Sequence, residues 1–375
     1  MGKIFDVIYK SRMKMKGEFS QPAKRWRQRD YMVKKFCICY ASSNEYAQYT
    51  GISLLSLLEN NTEIIDNIYL LSFGIKEENI QNIQRIVDSY KVRLIVIDAI
   101  SKMSRVFAEL EMLLFEGSYA TYARAFIASI IDDYDGKLLY IDSDTVVDGS
   151  LLPIKELDLE SQGKVYAGVI GMNQYVYPYS EIKLNNGNSR YYACGVLLFD
   201  MSMWKKMKCT EKIVDYIKNA NDKNFRFADQ TVINNCIPES LALPLDIEYN
   251  YWGHMFRGKR IQFELTRNGF YTAEQVQHAK EHPVIIHYKG YIVHPWLKGN
   301  VSSLSDRYQF YKQKSPWRDE KENTIYFSEN DDRETPEQRK KMRKSKLSLR
   351  YPVFIERIIE NLVEFKHRIS GMPEV

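Results

Sequence analysis

The sequence predicts an α/β fold in which parallel strands are flanked by helices on both faces of the sheet. Short apolar runs alternate with helical patterns from residue 36 onward, an order that is typical of strand-helix-strand units. One of these runs ends in two carboxylates, and open α/β sheets bind their ligands at the carboxyl ends of their strands. With 375 residues, the chain is long enough to bury a sizeable core.

The first half of the predicted fold alternates regularly. Apolar runs rich in β-branched and aromatic residues predict strands, and apolar residues at helical spacing predict the helices between them. The polar turn Ser42-Ser43-Asn44 is suited to cap the first helix. The expected elements are strands at Phe36–Ala41, Ile68–Leu71 and Arg93–Ile97, and helices that span Tyr49 to Leu58 and Ile80 to Val87.

The second half follows the same criteria. A helix from about Tyr119 to Ile131 is expected to lead into a buried strand, Leu138–Ile141. After Trp296 the sequence becomes polar and charged through Asp332, and no element is predicted there. The remaining expected elements are strands at Val165–Ile170, Val196–Phe199 and Val284–His287, and helices at Thr210–Ala220 and Asp229–Cys236.

Composition narrows the class of protein. The net charge of +5 is small for this length, so the composition as a whole does not indicate nucleic acid binding. The five cysteines lack the Cys-x-x-Cys spacing of zinc sites, which favours a reducing cytosol. No apolar stretch approaches the roughly 18 residues of a membrane span. We therefore expect a protein that is soluble or peripheral to a membrane.

The two ends of the chain differ from its middle. Residues 1–33 are predicted to form a basic arm with one short helix, Ile4 to Arg12, and residues 34–300 to form one domain. Residues 301–375 form a predicted extension with a basic cluster at 339–350 and an amphipathic segment from Tyr351 to Ile369. Each basic residue near an anionic membrane contributes about 1 kcal/mol, so the extension could attach the protein to a membrane. A solvated charged helix is the alternative.

The most informative segment follows the predicted strand Leu138–Ile141. There Asp142 and Asp144 flank Ser143, and two carboxylates at this spacing can share a hard divalent cation through their oxygens. Positions on the cation that remain open could take water or a substrate phosphate, which indicates a site for a metal and a diphosphate. The alternative is an ordinary acidic turn, because Asp-x-Asp is common by chance.

Four further segments accompany this motif near predicted strand ends. They are Tyr40-Ala41-Ser42-Ser43-Asn44-Glu45-Tyr46, Thr121-Tyr122-Ala123-Arg124, Ala228-Asp229-Gln230-Thr231-Val232-Ile233-Asn234, and Ile286-His287-Tyr288-Lys289-Gly290 with the following His294-Pro295-Trp296. As an ordered set, over about Lys34 to Gly299, these segments resemble glycosyltransferase family 8, whose members include bacterial α-galactosyl- and α-glucosyltransferases of lipopolysaccharide and capsule synthesis and glycogenin.

The resemblance implies a GT-A fold, a Rossmann-like mixed sheet flanked by helices, together with a UDP-hexose donor and retention of the α configuration. It implies Mn²⁺, with Mg²⁺ as a possible substitute, held by Asp142, Asp144 and His287. The donor-binding positions that it transfers to this chain are Ala41, Ser43, Tyr46, Arg124, Asp142, Ser143, Asp144, Ala193, Cys194, Gly195, Asp229, Gln230, His287, Lys289, Gly290 and His294.

The resemblance assigns the catalytic roles to Asp229 and Gln230. Asp229 matches the acidic contact to the donor sugar, and Gln230 matches the residue beside the anomeric carbon. Because an amide is a poor nucleophile, we expect the acceptor hydroxyl to attack from the front face while the leaving phosphate takes its proton. The alternative for this pair is an N-terminal helix cap.

The chain departs from the family pattern around the base and the sugar. Ser43 stands where an acidic residue usually contacts uracil, although Tyr46 remains available to stack on the base. Ala193-Cys194-Gly195 replaces Asn-Ser-Gly or Asn-Ala-Gly, so one side-chain amide is missing from the donor site. Thr231 replaces the second Asp of the usual Asp-Gln-Asp.

The chain also departs from the pattern where the diphosphate is expected. His294 replaces the Lys that normally precedes Pro-Trp and meets the diphosphate, and one extra residue follows Gly290. Lys289 or Lys298 could substitute for it.

Taken together, these patterns predict a cytoplasmic hexosyltransferase, peripheral on the inner face of the cell membrane, that transfers glucose or galactose to a glycan. The expected acceptor is a lipid-linked precursor of a capsule or lipopolysaccharide. The alternatives are a glycogenin-like primer that glucosylates itself, a sugar nucleotidyltransferase, and a non-catalytic scaffold that binds nucleotide sugars. The nucleotidyltransferase is disfavoured because the chain lacks a Gly-rich nucleotide loop near its start.

Overall fold

The structure is a computed structural model that describes residues 36–324, except 116, 172–189, 224, 226, 254–265, 267–268, 290–292, 299, 301 and 322. All of the described residues lie within Lys35–Val375, the larger of the two compact units into which the chain divides. The predicted basic arm with its short helix, the basic cluster at 339–350 and the amphipathic segment after it lie outside the described residues.

Strands and helices alternate along the described chain, as the sequence predicts. The strands are β1 (Phe36–Ser43), β2 (Asn67–Phe73), β3 (Arg93–Asp98), β4 (Lys137–Ile141), β5 (Thr145–Val147), β6 (Tyr166–Ile170), β7 (Tyr192–Asp200), β8 (Ala242–Leu245), β9 (Ile285–His287), β10 (Leu297–Lys298) and β11 (Asn323–Thr324). The helices are α1 (Ala47–Asn61), α2 (Glu77–Asp88), α3 (Ala99–Glu109), α4 (Ile127–Ile130), α5 (Leu152–Glu156), α6 (Met201–Lys206), α7 (Cys209–Asn219), α8 (Ala228–Cys236), α9 (Ala273–Glu281) and α10 (Ser305–Lys314).

Seven strands form the main sheet in the order β3-β2-β1-β4-β7-β6-β8. The first four strands in this order, β3, β2, β1 and β4, are parallel to one another, as the alternating pattern predicts. Strand β7 runs antiparallel to both of its neighbours, β4 and β6, so the sheet is mixed, as the family resemblance implies. Strands β4 and β7 lie in the centre and are buried along their whole length, which is typical of a sheet covered on both faces.

A small sheet of two strands, β5 and β9, brings together two segments that matter for the site. Three residues, Asp142 to Asp144, link β4 to β5, and β5 pairs antiparallel with β9. In this register Thr145 lies opposite His287. The short sheet therefore brings the Asp-x-Asp loop and a histidine from a distant part of the sequence to one place.

The helix predicted from about Tyr119 to Ile131 is wrong as a single element. The structure has a 3₁₀ turn, Ala120–Arg124, and then the four-residue helix α4. The backbone leaves the helical region at Phe126, where φ is −108° and ψ is 18°. Because the segment is buried on nearly all sides, packing rather than helical periodicity decides its conformation.

The cap predicted at Ser42-Ser43-Asn44 is also wrong. A 3₁₀ turn, Asn44–Tyr46, separates this segment from α1, and Ser43 makes no side-chain capping hydrogen bond. Asn44 Oδ1 instead accepts a hydrogen bond from the backbone N–H of Lys76 at 3.0 Å. The polar turn therefore hydrogen-bonds to the residue before α2 and does not cap α1.

The polar stretch after Trp296 contains a helix that the sequence pattern did not predict. Helix α10 buries Tyr308 and Tyr311, and the Trp317 ring occupies the space beside Gly51 that a Cβ would need. Aromatic rings, and not a row of aliphatic residues, thus hold this segment against α1. Within the described part of the chain, no helix has the length and apolar character needed to cross a bilayer.

Candidate active site

Two aspartates and a histidine meet at the ends of β4 and β9. His287 Nε2 lies 3.1 Å from Asp144 Oδ1 and 3.9 Å from Asp142 Oδ2, and one ligand atom from each residue falls within 4.8 Å of the others. Burial opposes ionisation of Asp144, but the charge of His287 and its hydrogen bond hold the pKa of this carboxyl well below its usual value. The two carboxylates suit Mn²⁺ and Mg²⁺, and the imidazole favours a transition metal, so these residues fit Mn²⁺, the metal that the resemblance implies.

Gly195 makes room for the histidine. A Cβ at this position in β7 would lie 2.7 Å from His287 Nδ1 and 2.9 Å from Asp142 Oδ2. Both distances are shorter than real Cβ contacts allow. Any larger residue would therefore push His287 or Asp142 out of place, which explains why this position of the predicted donor site is a glycine.

Asn250 and Trp252 contact Nδ1 of His287. The Trp252 indole N–H can only donate; it lies 2.9 Å from Asn250 Oδ1, its nearer acceptor, and 3.2 Å from His287 Nδ1. The same oxygen lies 2.8 Å from His287 Nδ1, and that nitrogen must consequently carry a proton and donate. Nδ1 is occupied in this way, so Nε2, the nitrogen that faces the two carboxylates, is the ring atom left for a metal. This is the arrangement of a metal-binding histidine.

Arg124 joins the metal site to Asp229. Its Nε and Nη2 donate to the two carboxylate oxygens of Asp229 at 2.6 and 2.7 Å. Its Nη1 donates to Asp142 Oδ1 at 2.9 Å and to the carbonyl of Cys194 at 2.8 Å. The side chain is buried, and although burial opposes its charge, Asp142 and Asp229 raise its pKa. Arg124 therefore stays cationic and sets the distance between the two carboxylates.

Asp229 and Gln230 lie in the first turn of α8. Phe227 occupies the N-cap position without a side-chain capping bond, so the interpretation of this pair as a helix cap is wrong. The residue before Asp229, Ala228, has a φ of 45°, a strained conformation of the kind often found at functional sites. Burial raises the pKa of Asp229 to about 6, although Arg124 opposes the shift.

Strand β7 holds Gln230 through its backbone. The amide oxygen of Gln230 accepts a hydrogen bond from the Cys194 N–H at 3.1 Å, and its amide nitrogen donates to the hydroxyl of Tyr191 at 3.2 Å. Ala193 and Cys194 are fully buried, and burial raises the pKa of the Cys194 thiol. The segment Ala193-Cys194-Gly195 thus contributes backbone groups and space, and its side chains pack in the core.

The predicted base-binding residues lie at the carboxyl end of β1. Ala41 is buried near Ser143, whose Oγ is 3.5 Å from the Ala41 carbonyl. Ser43 ends the strand, and the Tyr46 ring is 36% exposed and packs edge-on against Tyr49. The Tyr46 ring is thus open to solvent near the end of β1, and its role as a stacking surface for the base stays a prediction.

Basic residues lie on the β9 side of the site. The Lys289 ammonium lies 4.4 Å from the centroid of the Trp252 ring, and Asp142 and Asp144 interact with its charge. His294 stacks on Trp296 with ring centroids 4.4 Å apart, and Trp296 in turn stacks on Tyr49. Of the residues predicted for the site, Gly290 lies outside the described part of the chain.

Sequence reasoning missed Asn250, Trp252 and Tyr191. One signal was available, because Asn250 is a lone amide within the aromatic run Tyr249-Asn250-Tyr251-Trp252. A buried amide among rings needs hydrogen-bonding partners and is therefore a candidate for holding a functional group.

Comparison with known proteins places the chain in a family. The model of glycosyl transferase family 8 matches residues 37–300. General stress protein A of Bacillus subtilis is 22% identical over 286 residues, which cover 75% of this chain and 94% of that protein. A lipopolysaccharide 1,2-glucosyltransferase of Escherichia coli is 24% identical over 287 residues, which cover 76% of this chain and 79% of that enzyme.

A solved structure shares the fold. The galactosyltransferase LgtC, in complex with donor and acceptor sugar analogues, superposes with a TM-score of 0.60 at 20% sequence identity, covering 76% of this chain and 99% of LgtC. The mixed sheet and its flanking helices are therefore those of a GT-A glycosyltransferase. Because the family model matches more than half of the chain, this protein belongs to glycosyl transferase family 8.

Proposed function

We propose that this protein is a retaining hexosyltransferase that depends on a divalent metal, preferably Mn²⁺, and uses a UDP-hexose donor. The observation that carries the proposal is the cluster of Asp142, Asp144 and His287, joined through Arg124 to the buried carboxylate of Asp229. Metal ligands on one side and a carboxylate on the other would suit a nucleotide sugar, because its diphosphate is anionic and its hexose carries hydroxyls.

The diphosphate would lie against Asp142, Asp144 and His287, with Lys289 as an additional cation. A bound divalent metal would neutralise charge on the departing UDP. Lys289 supports this arrangement because its ammonium lies over Trp252 and, among the described residues, no carboxylate lies within salt-bridge distance of it. Lys298 is exposed, and His294 is stacked on Trp296, so Lys289 is the better replacement for the family's missing lysine.

The hexose would lie near Asp229 and Gln230. Arg124 holds both carboxylate oxygens of Asp229, and β7 holds the Gln230 amide, so both side chains are pre-organised before substrate binds. The acceptor hydroxyl would then attack on the face from which UDP departs, and its proton would pass to the leaving phosphate. This route retains the anomeric configuration without a protein nucleophile.

The names of the relatives support hexose transfer to a glycan. The relative from Escherichia coli is a glucosyltransferase of lipopolysaccharide, and LgtC is a galactosyltransferase. By analogy, glucose and galactose are the donor sugars that we propose, and a lipid-linked precursor of lipopolysaccharide or capsule is the proposed acceptor. An enzyme with this acceptor would work in the cytoplasm at the inner face of the cell membrane.

A panel of UDP-sugars tests the proposal. UDP-glucose, UDP-galactose and UDP-N-acetylglucosamine are each incubated with the full chain and Mn²⁺, and released UDP is measured with and without EDTA. One preferred UDP-hexose and loss of turnover on chelation are expected. Asp144→Ala should lose turnover. Asp319→Ala is the control and should retain turnover, because Asp319 lies in none of the motifs and its side chain is 93% exposed.

Three results would contradict parts of the proposal. Full turnover in EDTA would show that the reaction does not need the metal. Binding of UDP, measured by thermal shift, without turnover of any donor would instead favour a non-catalytic scaffold. Intact-mass analysis after incubation with UDP-glucose would reveal a primer that glucosylates itself.

A further inference from the structure

Helix α1 buries a row of polar side chains along one side. Thr50, Ser53, Ser56 and Asn61 follow one another at intervals of three or five residues, and each is at most 5% exposed. Burying hydroxyl and amide groups is costly unless they are hydrogen-bonded. Their partners therefore show what this side of the helix does.

The amino-terminal half of the row bonds to the Asp-x-Asp loop. Thr50 Oγ1 lies 2.7 Å from Oγ of Ser143, the residue between the two aspartates. Thr145 donates to the backbone carbonyl of Asp142 at 2.8 Å, so Ser53, which lies 2.7 Å from Thr145 Oγ1, must donate to Thr145. The two hydroxyls of α1 thus hold the loop at its middle side chain and, through Thr145, at the carbonyl of a metal ligand.

The carboxyl-terminal half of the row bonds to the last residue of β5 and to the chain beyond it. Ser56 Oγ accepts a hydrogen bond from the Val147 N–H at 2.9 Å. Asn61 donates to the Gly149 carbonyl at 3.0 Å and accepts from the Leu151 N–H at 2.7 Å. Strand β5 pairs with β9 along one edge, and Ser56 satisfies the Val147 N–H on the other edge, whereas Asn61 bonds to backbone beyond the strand.

The same contacts reach the third metal ligand. Thr145 lies opposite His287 in the two-stranded sheet, so a shift of Thr145 would move His287 relative to Asp142 and Asp144. Metal ligands need to be held close to their final geometry, because residues that orient them change metal affinity by about 10- to 100-fold. The position of Thr145 is set from α1 by Ser53.

We propose that Thr50 and Ser53 are positioning residues that place Asp142, Asp144 and His287 for metal binding. They act through Ser143 and Thr145 and do not touch the metal or the substrate. This inference rests on the proposed function only in assuming that the three ligands bind a divalent cation. Asn61 belongs to the same row but bonds to backbone seven residues beyond Asp142 or further, so it serves as a matched control for a purely structural role.

Calorimetric titration of the full chain with Mn²⁺ in the presence of UDP tests the inference. Thr50→Val removes the hydroxyl and keeps the shape of the side chain, and Ser53→Ala removes the hydroxyl that holds Thr145. Each is expected to weaken Mn²⁺ binding by about 10-fold, within the range for residues that orient metal ligands. Thr50→Ser keeps the hydroxyl and should bind Mn²⁺ within about 2-fold of the wild type.

Asn61→Ala should lower the unfolding temperature and leave Mn²⁺ affinity within about 2-fold of the wild type. The inference is overturned if Thr50→Val and Ser53→Ala bind Mn²⁺ as the wild type does, or if Asn61→Ala weakens binding as much as they do. Hydrogen exchange of residues 142–147 in the metal-free chain gives a second readout, with faster exchange expected only in the two hydroxyl-deleted variants. Failure of the proposed function would appear differently, as absence of turnover of every UDP-hexose by the wild type.

Discussion

Arg124 and Gly195 illustrate how single residues determine the site. Arg124 donates to two carboxylates and a backbone carbonyl, a pattern that the planar guanidinium can satisfy and the three-donor ammonium of lysine cannot. Gly195 contributes the absence of a side chain, which allows His287 to reach Asp144. Both positions follow from the family resemblance, but the reason for each is visible only in the contacts.

Gly195→Ala tests the steric requirement. Its Cβ would overlap His287 and Asp142, so the metal ligands must separate, and we expect at least a 10-fold loss of Mn²⁺-dependent turnover of the preferred UDP-hexose. Gly253→Ala is the matched control, because its Cβ would meet only ordinary contacts at 3.5 and 3.6 Å, and turnover should be unchanged. Equal turnover in Gly195→Ala and the wild type would contradict this account.

The raised pKa of Asp229 predicts a pH dependence of stability. Its pKa of about 6 in the folded protein exceeds the ordinary value of 3.8, so between these values the folded state binds more protons than the unfolded state. The contribution of Asp229 to the free energy of unfolding therefore decreases as pH rises from about 4 to 6. In urea unfolding across this range, the wild type should lose stability relative to Asp229→Asn as pH rises, because the Asn side chain does not titrate. A constant difference would show that Asp229 has an ordinary pKa in the folded protein.

At the scale of elements, periodic apolar patterns predicted the fold well where they exist. Strands β1 to β4 and helices α1 and α2 were found close to their expected positions. The failures have physical causes. The segment from Tyr119 to Ile131 is buried on nearly all sides, so it has no polar face to mark a helix, and α10 packs through aromatic rings spaced among charged residues.

The site was predicted unevenly for similar reasons. The motif residues Asp142, Asp144 and His287 were predicted, and the structure brings them together. The groups that orient them, such as Asn250 and Ser53, lie on other elements and carry no motif of their own. A single sequence shows which residues have the right chemistry, but it does not show which buried polar groups will be their neighbours.

Trp317→Ala tests how α10 and the turn after it are attached to α1. The Trp317 ring is 5% exposed and packs against Gly51, so its removal leaves a cavity and should lower the free energy of unfolding by about 3 kcal/mol. Phe310→Ala provides the control, because this ring is 55% exposed and its loss should change stability by less than about 0.5 kcal/mol. Similar stability of both variants in urea unfolding would mean that Trp317 does not anchor the segment.

At the scale of the whole molecule, experiments can distinguish the role of the part of the chain that the structure describes from the role of the predicted extension. The described residues end at Thr324, before the basic cluster at 339–350. The net charge of the chain is only +5, so a membrane would attract this local cluster and not the protein as a whole.

Truncation after Asp332 tests the proposed membrane attachment. The shortened chain keeps every described residue, so its hydrolysis of UDP-sugar should remain close to that of the full chain. Its binding to vesicles that contain anionic phospholipid should fall strongly at low ionic strength, as measured by co-sedimentation. Unchanged vesicle binding would show that the extension is not the attachment site.

The position of Trp252 has a spectroscopic consequence. Its indole ring lies beneath the Lys289 ammonium and is bonded to the Asn250 oxygen that also holds His287, so its electronic surroundings depend on the charge in the metal site. Tryptophan emission should therefore change when Mn²⁺ and UDP are added, and Trp252→Phe should abolish most of that change. An equal change in the variant would assign the signal to another tryptophan. The hydrogen-bond chain that orients a metal ligand thus supplies an intrinsic fluorescence probe of ligand binding.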